Sequence, residues 1–168
     1  VDWTLLPVIV GRSSPKEFAR FAEHLQPLFD DPATLFVISS DFCHWGSKFR
    51  FSPQLPAQHP SSPSCVVPGM GGAGPANPVN AGIEALDSRA IDLVCRQDGV
   101  GFSRYLEQEG NTICGRSPIR LLLELLAARP GEFRVCFVHY SQSKLLGAAP
   151  GRGDSSVSYA AGLCEATA

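Results

Sequence analysis

The chain has 168 residues, 44% of them apolar, and its 14 basic and 16 acidic side chains leave a formal net charge of -2. That balance argues against a nucleic-acid binder, which carries a basic stripe, and the length fits one domain, 1–168, able to bury a sizeable core. No apolar run reaches the roughly eighteen residues a membrane span needs.

The chain opens at Val1 without an initiator methionine, and no basic segment followed by an apolar run suggests a signal peptide. A fragment that lacks the start of its domain is the expectation. Residues 3–11, WTLLPVIVG, read as a buried strand closed by a glycine turn. In the next stretch Ser14 is a good N-cap, Pro15 suits the first helical position and Glu17 completes a capping box. Phe18, Phe21, Ala22, Leu25, Leu28 and Phe29 then recur on one helical face, with Pro27 expected to kink or end the helix. Residues 34–39, TLFVIS, read as a second short strand. Strand, helix and strand together form a βαβ pattern, the mark of a layered α/β domain with a sheet flanked by helices.

SSDFCHWGSKFRF, residues 39–51, follows at the carboxyl end of that strand, where ligands gather in such sheets. Residues 52–82 then hold seven of the fourteen prolines and five glycines, a composition that reads as a disordered insertion or a segment foreign to the fold. The glycines there lack the spacing of a phosphate cradle. Helical periodicity resumes at Ile83, Leu86, Ala90, Leu93 and Val94, and a shorter helix in DGVGFSRYLEQEG ends at Gly110. NTICGRSPIRLLLELLAARPG leads into a buried helix, apolar around most of its girth, with Ser117 as the predicted cap. Residues 132–142 read as an interior strand covered on both faces, and SSVSYAAGLCEA as a last strand.

Six cysteines without a CxxC pair read mostly as reduced, buried thiols of an intracellular protein. Asp41 and His44 lie three apart, and Cys114 opens a second polar cluster before the leucine-rich helix. These residue types suit iron, copper or zinc, with His44 and Cys114 as ligands and Asp41 as support. A plainer reading has Asp41 capping a turn, His44 making one backbone hydrogen bond and the thiols filling gaps. A third reading pairs Cys114 with His44 as nucleophile and base. Arg116 brings a guanidinium beside the Cys114 loop at a helix start, fit for an anion or for an acidic neighbour. Trp45 reads as a rim residue, and Phe49, Phe51 and Tyr105 as pocket lining or core. His24 reads as solvated, His59 falls in the Pro-rich tract, and His139 is a reserve ligand.

LFVISSDFCHWGSKFRF, NTICGRSPIRLLL and DSSVSYAAG together resemble the Memo family, mediators of receptor-driven cell motility. The resemblance covers roughly residues 1–51 and 83–168. It implies a fold similar to class III extradiol dioxygenases and a pocket binding iron or copper through two histidines from an N-terminal half and one cysteine. That cysteine matches Cys114, and Asp41 and His44 match pocket residues; Arg116 continues the same motif. It further implies roles in cell migration and cytoskeletal organisation downstream of receptor kinases, phosphotyrosine-peptide partners, and a cytoplasmic location with the nucleus as a further compartment. The family's N-terminal half is absent from this chain, and the Pro/Gly tract resembles an alternative isoform or translated non-coding sequence. The expected function is therefore a Memo-like signalling protein with an incomplete metal site and negligible dioxygenase activity. The alternatives are a metal-dependent oxidoreductase of extradiol type and a phosphopeptide-binding module.

Overall fold

In the computed structural model, which describes residues 2–54, 68–70 and 78–167, the first helix begins where its end chemistry dictates. Helix α1 (Pro15–Phe29) is capped by Ser14, whose Oγ accepts the Glu17 N–H while the Glu17 carboxylate accepts the Ser14 N–H at 2.7 Å. Glu17 is held below the ordinary carboxylate range by these bonds to Ser14. Pro27 does not stop the helix, which runs on to Phe29. The predicted face is only half used. Phe18 and Ala22 are buried, Leu25 and Phe29 are partly covered, and Phe21 and Leu28 remain exposed.

Helix α4 (Arg116–Ala127) explains why its sequence is apolar nearly all round. Leu121 and Leu125 pack against Phe18 and Ala22 of α1, while Ile119, Leu123 and Leu126 enter the main core. Each such side chain, fully buried, stabilises the fold by about 1.5–3 kcal/mol. The cap differs from the one predicted: Gly115 occupies the N-cap and Ser117 lies buried within the helix. Helix α3 (Gly99–Glu109) keeps its expected ends, with the Asp98 carboxylate accepting the Gly101 N–H at 2.7 Å and Gly110 closing it in the left-handed region.

Three antiparallel strands make the sheet of the described residues, in the order β1 (His44–Gly46), β3 (Ser155–Ala166), β2 (Phe133–Gln142). The mixed α/β class is as expected, but two predicted strands are not found. Residues 3–11 and 34–39 belong to no ladder among the described residues. Burial still alternates along 34–40, with Leu35 and Val37 exposed and their neighbours turned inward. β2 is likewise an edge strand with Val138 and His139 exposed, instead of a strand covered on both faces.

Helix α2 (Pro78–Cys95) starts inside the stretch assigned to the Pro/Gly tract, and Asn80, Ala81 and Gly82 are buried in it. The remainder of that tract from 55 to 67 and 71 to 77, with His59 and Cys65, lies outside the described residues. Of the described cysteines, Cys43, Cys114, Cys136 and Cys164 are free, but only Cys43 is buried, and Cys95 is disulfide-bonded. The expectation of buried thiols therefore holds for one of these five.

The inward face of α2 also carries polar groups, and Asp87 is fully buried among them. Its Oδ1 accepts the Cys43 N–H at 3.2 Å and an Asn111 Nδ2–H at 2.9 Å. Its Oδ2 accepts the hydroxyls of Tyr140, at 2.9 Å, and Ser158. Burial pushes this carboxyl up to about 6 from an ordinary 3.8, against the opposing pull of its four hydrogen bonds. A raised folded-state pKa means that the stabilisation is complete below the ordinary carboxylate range and is lost as pH rises through about 6. Asp87→Asn keeps an acceptor oxygen and carries no titrating carboxyl. The unfolding free energy of the wild type, measured in urea relative to Asp87→Asn, is expected to fall by on the order of 3 kcal/mol between about pH 4 and pH 7. A difference that stays flat would contradict the assignment.

Candidate functional site

Residues 39–44 and 111–116 meet along a seam of hydrogen bonds, and this junction assembles most of the residues singled out from the sequence. The Asp41 N–H donates to Cys114 Sγ at 3.1 Å, and the Cys114 N–H donates back to the Asp41 carbonyl at 3.3 Å. The Gly115 N–H donates to Ser40 Oγ at 3.0 Å, and Ser40 passes its own proton to the Asp41 carbonyl at 2.8 Å. On the far side of Asp41, Thr112 Oγ1 accepts the His44 N–H at 2.7 Å and donates to the His44 carbonyl at 3.0 Å.

Such closeness demands a glycine at 115. A Cβ there would lie 2.3 Å from the Ser40 Cβ and 2.7 Å from the Ser39 carbonyl oxygen, well inside any real contact. Gly46 is constrained in a similar way, with φ +131° and the Asp154 carbonyl 2.7 Å from the place of its missing Cβ. It turns the chain out of β1 against the start of β3.

The same seam sets the ring of His44. Its Nδ1 lies 3.0 Å from both the Phe42 and the Thr112 carbonyls, which only accept, so Nδ1 carries the proton. Nε2 is left as the acceptor, 3.8 Å from Asp41 Oδ2, and the ring stands edge-on to Phe49 at 5.0 Å. The junction therefore offers an imidazole nitrogen, a carboxylate and an exposed thiol on two adjoining segments. Cys43 takes no part: burial, then the nearby Asp87 carboxylate, pushes its thiol far up and keeps it protonated.

Arg116 stands at the first position of α4, and its Nε donates to the Ile113 carbonyl at 2.9 Å. It forms no ion pair among the described residues, so the acidic neighbour allowed by the sequence is not found there. No side chain caps α4 and its first turn holds no acid. Trp45 is not a rim residue. It is 8% exposed within the main core, because β1 carries it inward, and its Nε1 donates to the Pro53 carbonyl at 3.3 Å. Tyr105 is also core, and its hydroxyl accepts from Asn111 at 2.7 Å and donates to the Leu86 carbonyl at 2.8 Å. His139, the reserve ligand, is exposed on the edge strand, and His24 is exposed as expected.

A redox metal does not fit these donors alone. Among the described residues no group of three or more His, Cys, Asp or Glu side chains is arranged to hold a metal ion, whereas a metal centre wants about three protein ligands. Asp41, His44 and Cys114 form a partial set. Sequence reasoning missed Asp87 and Asn111, which fix the seam from below. The available signal was a run of polar residues, Asn80, Glu84 and Asp87, on the face of α2 that also carries Ile83 and Ile91.

The model of the Memo-like protein family matches residues 2–163. This chain belongs to the Memo family. Protein MEMO1 of Homo sapiens and that of Rattus norvegicus are each 35% identical to it over 164 residues, 96% of this chain and 48% of the relative. Protein memo-1 homolog of Caenorhabditis elegans is 34% identical over 167 residues, or 41% of its own length. The chain thus spans about half the length of the curated relatives it matches. No described helix is long and apolar enough to cross a membrane.

The seam is testable without a ligand. Gly115→Ala is expected to destabilise the fold by about 1–3 kcal/mol through overpacking, read from urea unfolding. Adding Ser40→Gly is expected to recover part of that loss and leave the clash with the Ser39 carbonyl. Wild-type stability in Gly115→Ala would mean that the two segments do not approach as described.

Proposed function

We propose that this Memo-family chain acts in receptor-dependent cell migration and cytoskeletal organisation as a cytoplasmic signalling component, by binding an anionic peptide of the phosphotyrosine type at the 41–44/112–116 junction. The observation that carries the reading is Arg116, a half-buried guanidinium with no acidic partner among the described residues, at the start of a helix that no side chain caps. With Nε committed to the Ile113 carbonyl, its two terminal nitrogens are left to make a forked contact with phosphate or carboxylate oxygens. First-turn N–H groups and the positive end of the helix dipole add to the same attraction.

A second reading, metal-dependent oxidoreduction of the extradiol type, is favoured by the placing of Cys114 and His44 on the two sides of one seam. It requires iron or copper to take further donors from outside the described residues, and the chemistry it would supply is activation of an oxidant.

Fluorescence polarisation with a phosphotyrosine peptide, in the presence of a chelator, separates the two. Arg116→Ala is expected to weaken binding by roughly ten- to a hundredfold, the worth of a charge-assisted hydrogen bond, and Cys114→Ser by less than about twofold. Binding that vanishes with chelator, or that suffers more from Cys114→Ser, would transfer support to the metal reading.

A further inference from the structure

We infer that Asp87 is the positioning residue of the junction: a single buried oxygen, Oδ1, accepts from Cys43 and from Asn111 and so holds the His44 segment in register with the Cys114 segment. Cys43 precedes His44 directly, and Asn111 precedes Thr112, the residue that clasps the His44 backbone from both sides and takes its ring proton. A displacement at Oδ1 therefore reaches both edges of the seam through one peptide unit each.

The other oxygen serves a different part of the molecule. Oδ2 accepts from Tyr140 on β2 and Ser158 on β3; the Ser158 hydroxyl also lies 3.3 Å from the Cys43 carbonyl, so the Tyr140 bond is the one that belongs to the sheet alone. Asn111 carries a matching sign of constraint. Its Nδ2 donates to Asp87 and to Tyr105, while its Oδ1 is buried without a partner among the described residues. An unsatisfied buried acceptor is costly, and here it accompanies an amide fixed by both of its donor bonds.

This inference rests on the junction being the working site, but its test uses no peptide. In the full chain, the rate of alkylation of Cys114 by iodoacetamide is followed by mass mapping, with exposed Cys164 on β3 as the internal standard. The His44 ring signals are followed in parallel by NMR. Asp87→Leu removes the acceptor and is expected to change the Cys114 rate relative to Cys164 by about threefold or more and to shift the His44 signals. Asp87→Asn, which keeps Oδ1, should restore both toward wild type. Where Asp87→Leu does not fold, Asn111→Ala breaks a junction bond of Asp87, together with the bond to Tyr105, and should move both readouts in a folded protein. Tyr140→Phe, which removes the donor to Oδ2 on the sheet side, should lower stability and leave both readouts in place.

Wild-type values in folded Asn111→Ala, or equal changes in Tyr140→Phe, would overturn the inference and leave Asp87 a stabilising residue only. A protein with these shifts that binds no phosphotyrosine peptide would instead refute the function proposed above while upholding the role of Asp87.

Discussion

A carboxylate with no exposed surface dictates how the rest of this molecule is arranged. Asp87 sits in the middle of α2 and collects donors from the loop before β1, the loop before α4, and both longer strands. Taking a charge from water is expensive unless every lone pair is used. Four donors meet that demand here, and burial still holds the group well above the ordinary range for an acid. An apolar residue would fill the space as well, but it would accept nothing and would strand the Cys43 N–H and the Asn111 amide. The carboxylate thus selects one relative placement of four segments.

What that placement presents at the surface is a seam of short backbone contacts made possible by Gly115 and Ser40. The seam lends the His44 ring a fixed proton on Nδ1 and an open Nε2, and it leaves Cys114 Sγ as a hydrogen-bond acceptor beside Asp41. Chemistry offered by two loops is held by an interior atom, and neither loop makes a complete site alone. A separate feature belongs to the same picture. An apolar groove of about 270 Å³ runs between α4, β2, β3 and residues 34–42, and Trp3, Leu5, Ile9, Leu35 and Val37 are largely exposed. The MEMO1 relatives are about twice as long as this chain, and this apolar surface is open among the described residues.

Local rules were legible wherever local energies decide. Ser14, Pro15 and Glu17 announced the start of α1, Asp98 and Gly110 bracketed α3, and the last strand runs from Ser155 to Ala166 as its sequence suggested. The family motifs pointed to a meeting of Asp41, His44 and Cys114, and the hydrogen bonds of the seam join their segments. Failures came where a distant neighbour decides. A run such as residues 34–39 has strand composition, yet a ladder needs a second backbone, and none of the described segments supplies one. Trp45 looked like a rim residue because a loop was expected at a position that β1 occupies. Asp87 was not singled out, because its partners Tyr140 and Ser158 lie more than fifty residues away in sequence.

The central position of β3 carries a consequence for the order of assembly. β1 and β2 each pair with β3 and not with one another, and the Ser158 hydroxyl reaches the Cys43 carbonyl across 115 residues of sequence. Closing so long a loop before any contact rewards it is slow. The β1–β3 pairing is therefore expected to form later in folding than the helices, and β1 depends on a strand made more than a hundred residues after it.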